Sequence, residues 1–522
     1  MTKTMLISTS LMALSMATAA AGQTAPADPL SPTAAPSTSA DCRDGVNNCS
    51  LVTQNGTNLD VEVSQTGTGN ISDIDQINGS VGGVNIGARV RQLGTNATSH
   101  ILQSDTGAVG NFNTQANILQ FQDGAVSTVR QIGTLGFSAT VNQTGANTAY
   151  VEQDGADRTL RFSVVNIRQA SGSGNSAVAF QQTSDSTIEN FGPGIEQLGN
   201  LNNAEIYQLA GGFQFKAATS QRGDRNDSVL IQQNVDDNDR MNANIVQRGD
   251  DNISSVVQSG INGLGQQAFG FYMVGIEQTG NDNLSRVEQE NRSTGALTSS
   301  VQLKQLKDGN DSFIDQRSGS GSINIAQTST DTSGLVTGVS RNNAISGEVD
   351  NVRANFSRIV QQGTGRTETT LTQTGFGNLS DIRQNAPGAA AGLASAATVK
   401  QKGEDQSSFI EQNGTNDLAF VDQIAGSGNV SRVRQLAGGV GNNADIGQSG
   451  VDGTSSVEQS GSNNSANLLQ AELTIANASA ITQSGADNAA DVFQYSSNNA
   501  SFITQSGTDG TATVTQGSAS TR

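Results

Sequence analysis

Four groups of side chains in this 522-residue sequence have the types and spacing for chemistry: carboxylate pairs, a single histidine, two cysteines and a set of acidic turns. Pairs such as Asp73 and Asp75 have the composition of a glycoside-cleaving site, which needs two carboxyl groups held at a set separation. With no Trp and only Tyr150, Tyr207, Tyr272 and Tyr495, the stacking platforms of such an enzyme are missing, so solvated strand faces are the preferred reading. His100 has no nucleophile–base partner at any recognisable spacing. Cys42 and Cys49 close a short loop, and in an exported chain they are most simply a disulfide. Two Cys and one His do not supply the four ligands of a structural zinc site. Acidic turns such as Gly249-Asp250-Asp251-Asn252 and Gly280-Asn281-Asp282-Asn283 have oxygen ligands that suit calcium. Asp and Asn also favour turns by bonding their own backbone, and the regular Gly-Gly-x-Gly-x-Asp array is absent. The sequence therefore predicts no catalytic, metal or cofactor residues.

The elements that carry these residues are unusual in composition. The chain has 60 Gly, 47 Gln and 49 Asn, with 34% hydrophobic and 14% charged residues. A large Leu/Phe core is excluded, and what remains is disorder or a repetitive hydrogen-bonded architecture. The formal charge of −19 includes no basic cluster to neutralise phosphates, so nucleic acid is not an expected partner. Lys3, an apolar run from Met5 to Met16 and the small residues Ala17 to Ala21 follow the order of a secretory signal peptide, with cleavage expected near Ala21. That run is too short to span a bilayer, and no later stretch is apolar enough. Residues 22–49 read as a Pro/Ala/Ser-rich leader with the cysteine pair, 50–516 as one repeat region, and 517–522 as a tail.

Glutamine sets the period of the repeat region. Gln401, Gln412 and Gln423 are eleven residues apart, as are Gln483, Gln494, Gln505 and Gln516. Aligned on that residue, the unit reads Asn-x-Ala/Ser-x-Val/Ile/Leu-x-Gln-x-Gly, as in Asn252-Ser254-Val256-Gln258 and Asn283-Ser285-Val287-Gln289. All specified positions have one parity, so in a strand they share a face. The positions between them carry charges such as Asp73, Asp75, Glu288, Glu411 and Asp491, the expected solvent face. Gly two residues after Gln supplies a tight turn.

One such strand cannot offset its own ordering entropy, so units must stack on a shared core. The prediction is an all-β solenoid of strand-turn-strand coils, built from 11-residue half-repeats with about 22 residues per coil and, over the whole region, about 21 coils. Inward amides would ladder from coil to coil. Spacings of sixteen residues, from Gln76 to Gln92 and Gln153 to Gln169, and irregular stretches at Ile261 to Gly275, Asn291 to Ser300, Thr330 to Ser357 and Ala386 to Ala397 predict bulging loops or degenerate coils, with Thr330 to Ser357 the weakest point.

The repeat resembles, at unusual length, the curlin repeat of curli fibre subunits, the bacterial functional amyloids. By that resemblance Gln65, Gln76, Gln258, Gln289, Gln412, Gln459, Gln494 and Gln505 are stacking glutamines, and Asn70, Asn252, Asn283, Asn488 and Asn499 are the matching asparagines. It further implies export through an outer-membrane secretion pore, extracellular polymerisation with itself or other curlin-type subunits on a surface-bound nucleator, and roles in adhesion and biofilm matrix. A monomeric secreted or surface-displayed β-solenoid adhesin is the alternative.

Overall fold

The computed structural model describes residues 48–56, 58–78, 85–105, 114–133, 136–155, 163–182, 186–188, 194–209, 215–234, 239–260, 270–291, 298–316, 321–329, 355–363, 366–386, 394–471 and 474–517. All of them lie in one unit, Gly45–Arg522. The predicted signal peptide and nearly all of the leader fall outside the described residues.

β1 (Cys49–Asn55) and β2 (Leu59–Gln65) form the first coil. The chain then steps up one layer: Ile71–Asn78 pairs in parallel with β1, and Ile86–Gln92 pairs in parallel with β2. Repetition builds two facing parallel sheets. Among the described residues the first has 18 strands and the second 19, two of which share a layer. Those two, Ser186–Ile188 and Ile195–Leu198, both pair with Ser163–Ser171 below and Phe215–Arg222 above. The stack is a β-solenoid of 18 coils, fewer than the roughly 21 that a uniform 22-residue coil implies. The difference lies in coil length: Gln54 bonds Gln76 across 22 residues, whereas Asn310 bonds Asn355 across 45.

Strands form because aliphatic and polar residues alternate, and the stack buries one parity between the sheets. Ala204 and Ile206 in one coil, and Ser254 and Val256 two coils on, are 0–1% exposed. Register is strict: glutamine lies opposite glutamine at every full strand pairing, as in Gln232↔Gln258 and Gln401↔Gln423. A one-residue slip would turn these amides to solvent and bring charges inside.

The two edges of the stack differ. Returns from the second sheet to the first are short, as from Arg222 to Asp227 and Arg248 to Ile253, with the exception of the return from Ser329 to Phe356. Passages from the first sheet to the second are longer in much of the chain, as from Asp105 to Thr114 and Gly260 to Gly270. The irregular spacings are therefore insertions between intact strands. Across Thr330 to Ser357, Asp311–Gln316 pairs directly with Phe356–Gly363, with Gln316 opposite Gln361. Residues 330–354 themselves lie outside the described residues.

The short returns depend on glycine two residues after glutamine. Gly249 has φ 110°, and a Cβ there would sit 2.1 Å from the Gly280 carbonyl oxygen of the next coil. Two turns thus pass at backbone contact distance, which only glycine permits. Gly249→Ala is expected to cost about 1–3 kcal/mol, read as a lowered melting midpoint. Gly275→Ala, in a strand with nothing within 4 Å of the new methyl, is the matched control and should shift the midpoint little.

Candidate functional site

The candidate site is the interior of the solenoid together with its two ends. Each strand directs its glutamine inward, where burial is nearly complete: Gln76, Gln258, Gln459 and Gln494 are 0% exposed, Gln412 1% and Gln289 3%. A buried primary amide has two donors and an acceptor to satisfy, and the stack satisfies them by repetition. In the first sheet, Nε2 donates to the next Oε1 from Gln76 to Gln103 (2.9 Å), Gln258 to Gln289 (3.1 Å), Gln412 to Gln435 (2.9 Å), Gln459 to Gln483 (3.0 Å) and Gln483 to Gln505 (2.9 Å). In the second sheet, Gln65 donates to Gln92 and Gln494 to Gln516, each at 2.8 Å.

The second amide proton crosses the interior. Gln459 Nε2 donates to the carbonyls of Asn443 (2.8 Å) and Asn464 (3.0 Å), at strand entries of the facing sheet. Gln483 does the same to Ser465 (2.9 Å) and Asn488 (3.1 Å). Serines join in, as where Gln247 Nε2 lies 3.2 Å from Ser254 Oγ. Glutamine therefore joins successive coils and also the two sheets. This cross-sheet role was missed from sequence; its signal is the constant five-residue step from Gln247 to Asn252, Gln459 to Asn464 and Gln483 to Asn488.

Asparagine works at the corners. Asn252 Nδ2 donates to Asn226 Oδ1 (3.0 Å), and its own Oδ1 receives Asn283 Nδ2 (2.9 Å) and the Asn283 backbone N–H (3.2 Å). Because that backbone N–H can only donate, the amide's orientation is fixed. The asparagine row thus runs opposite to the glutamine rows: glutamines donate toward the C-terminal end, asparagines toward the N-terminal end. Asn488 donates to Asn464 at 3.0 Å in the same sense.

Two expected asparagines depart from this pattern. Asn70 is buried and bonds the Gly94 carbonyl (2.8 Å) and the Ala97 N–H (3.0 Å), but Ala97 and Ala125 hold the next two rungs, so its row stops there. Asn499 turns its Nδ2 back to Ser496, while its backbone N–H still reaches Asn477 Oδ1 (2.9 Å). It lies in the terminal layer, at the entry to Ala500–Thr508, the last strand of the first sheet among the described residues. At the opposite corner the equivalent rung is apolar in early coils, Ile86 and Phe137 being 1% and 2% exposed.

Outward parity does not ensure exposure. Asp73 is 5% and Asp381 6% exposed, because strand neighbours above and below screen each side chain. Asp73 lies between Leu51 and His100, and burial, with Asp75 beside it, raises its carboxyl pKa. Elsewhere opposite charges stack in adjacent layers. Arg434 bridges Glu411 (3.3 Å) and Glu458 (2.9 Å), and Arg248 and Lys304 flank Glu277 at 2.7 and 3.4 Å. Glu411 is held below its usual pKa by the Asn413 amide, and also by Arg434, against a smaller effect of burial. Cys49 is disulfide-bonded, and Cys42 is the only other cysteine in the chain. The described residues contain no group of three side chains suited to a metal ion, and no helix among them is long and apolar enough to cross a membrane.

Residues 485–517, which include the strands Ala489–Gln494, Ala500–Thr508 and Thr511–Gln516, match the family model of the curlin associated repeat. The chain carries a curlin associated repeat in its last coils. No curated protein matches it. Inward Asn, small, aliphatic and Gln positions in the matched coils recur through the earlier ones, so the curlin unit is also the structural unit of the solenoid. Such a repeat, stacked in this way, points to a structural rather than a catalytic protein.

Gln232→Ala removes bonds to Gln208 and Gln258, both 2.9 Å, and leaves a buried gap. The expected loss is about 2–4 kcal/mol, visible as a lowered unfolding midpoint, against little change for the exposed Arg222→Ala. For Glu411, with its folded pKa depressed, the stabilisation is present above the unfolded value of 4.5 and lost as pH falls through the folded value. Glu411→Gln should therefore lower the melting midpoint at pH 7, with the difference lost as pH falls through the folded value.

Proposed function

We propose that this chain is a structural subunit of extracellular curli-like amyloid fibres, which grow by addition of strands at the ends of the solenoid and serve cell adhesion and biofilm matrix. The carrying observation is that, among the described residues, both ends of the stack are open and chemically matched. At the C-terminal end, Gln505 and Gln516 receive bonds from Gln483 and Gln494 but have no further glutamine to donate to. At the N-terminal end, Gln54 and Gln65 donate into the stack, and among the described residues no glutamine precedes them. Each end also presents one edge of each sheet, a row of unpaired backbone groups that templates another strand.

The shapes of the terminal coils support the same reading. Gln54 and Gln65 are eleven residues apart, as are Gln505 and Gln516, and both coils turn tightly through a residue of positive φ, Asn58 (57°) and Asp509 (57°). The intervening coils with insertions have a different outline. A second copy placed with its first coil on the last coil of another would set Ser50 on Ser501, Val52 on Ile503, and Gln54 on Gln505. Growth would then continue the existing rows of amides, with the outward charges limiting lateral association. The family resemblance supports export through an outer-membrane pore and a surface-bound nucleator as partners.

A monomeric surface adhesin is the second reading. The observation that favours it is that most insertions leave the stack along one edge, the usual place for binding loops in a solenoid.

The test is incubation of the purified chain, followed by amyloid-dye fluorescence, electron microscopy and fibre diffraction. The expected result is fibres with a meridional reflection near ~4.7–4.8 Å that seed fresh protein. The double variant Gln505→Ala/Gln516→Ala should lengthen the growth phase several-fold, while Glu411→Gln should leave it nearly unchanged. A stable monomer that neither grows nor seeds would overturn the fibre reading and favour the adhesin.

A further inference from the structure

The coils from Ala394 onward close both corners tightly, and at the corner entering the second sheet they build an additional polar row: Ser395, Asp417, Asn442, Asn464 and Asn488. In the asparagine rungs the bonding is uniform. Asn442 Oδ1 receives the Asn464 N–H and Nδ2, both at 3.1 Å, and Asn442 Nδ2 donates to the Gly461 carbonyl at 2.9 Å. Asn464 and Asn488 donate likewise to Gly485 (3.2 Å) and Gly507 (3.1 Å).

Asp417 holds the same rung with an acid in place of an amide and is 0% exposed. Its Oδ1 performs the asparagine's acceptor role, receiving Asn442 N–H (3.0 Å) and Nδ2 (3.2 Å). Its Oδ2 stands where the donating Nδ2 belongs. A Cβ built on Gly414 would lie 2.2 Å from Asp417 Oδ2 and 2.6 Å from the Gly439 carbonyl oxygen; one coil on, a Cβ on Gly439 would lie 2.6 Å from Asn442 Nδ2 and 2.9 Å from the Gly461 carbonyl oxygen. The two sites superpose, except that a donor facing a carbonyl has become an oxygen facing a carbonyl. Asp417 Oδ2 has no hydrogen-bond partner of good geometry among the described residues.

We propose that Asp417 is a proton-dependent rung. Protonated, its Oδ2–H donates to the Gly439 carbonyl and completes the row; ionised, it sets two acceptors against each other and loosens the turn Leu436–Asn442. The proton comes from solvent, and no other bond is made or broken.

The surroundings agree. Burial raises the carboxyl pKa, against the pull of Asn442 and the Gly414 N–H, with no charged neighbour contributing. Charged groups on the strands packed around it, Glu411, Arg434, Lys400, Asp422 and Asp445, occupy outward positions and are half-buried or exposed. For a group held above its unfolded value of 3.8, the stabilisation is full below that pH and lost as pH rises through the folded value. This sign is opposite to that of Glu411.

The test is amide hydrogen exchange of the full chain, wild type against Asp417→Asn, followed over Leu436–Asn443 from pH 4 to pH 8. At pH 8 the variant should exchange about tenfold or more slowly than wild type, and the two should converge toward pH 4. Glu411→Gln should not slow exchange at pH 8, since its effect has the opposite sign. A difference independent of pH, or a variant less protected at pH 8, would overturn the proposal. A second readout uses infrared spectra: wild type should show a buried carboxylic C=O band that titrates above the normal carboxylate range and is missing in Asp417→Asn, and its absence in wild type would overturn the proposal equally.

Discussion

Everything in this solenoid depends on satisfying a buried primary amide. An unpaired amide in an apolar interior is among the costlier groups a protein can bury, and this chain buries one in nearly every strand. Repetition removes the cost, since each glutamine becomes the partner of the next. Strict parallel register, the small residue preceding the aliphatic, and the glycine that lets turns pass at contact distance are all conditions for those amides to meet. The aliphatic columns fill the space that remains. They set the spacing of the sheets, while the glutamines decide which strand lies on which.

That division of labour explains how much was legible in the sequence. Parity of residues such as Asn252, Ser254, Val256 and Gln258 was sufficient to assign the strands, the buried face and the amide rows, because an 11-residue period with fixed alternation admits few other structures. The number of coils was less accessible. Insertions between Asp105 and Thr114 or Gly260 and Gly270 count as residues in a period but add no layer. Bonds from Gln459 to the facing sheet were missed because parity describes one strand at a time, and they span two. Asp73 was assigned to solvent correctly in direction and incorrectly in exposure, since Leu51 and His100, distant in sequence, screen it.

The departures from the repeat are as informative as the repeat. Ala97 and Ala125 interrupt one asparagine row at close turns, Ile86 replaces a polar rung where the turn has been extended, and Phe137 and Asp417 replace rungs where the turn is short. Asp417 keeps the close turn and the acceptor and gives up the donor.

The opposed directions of the amide rows affect the stack as an electrical object. A side-chain amide is a dipole comparable with a peptide unit, and aligned head to tail such dipoles would accumulate partial charge at the ends, as they do along a helix. Parallel sheets contribute little of their own. Two glutamine rows point their positive ends one way and the asparagine rows point the other, so part of the moment cancels; from Asn442 to Asn488 a second asparagine row adds to the opposition, while the first is interrupted at Gly453. A stack built in this way can lengthen with little growth in terminal potential, and the attraction between one end and the next arriving coil stays short-ranged at any length.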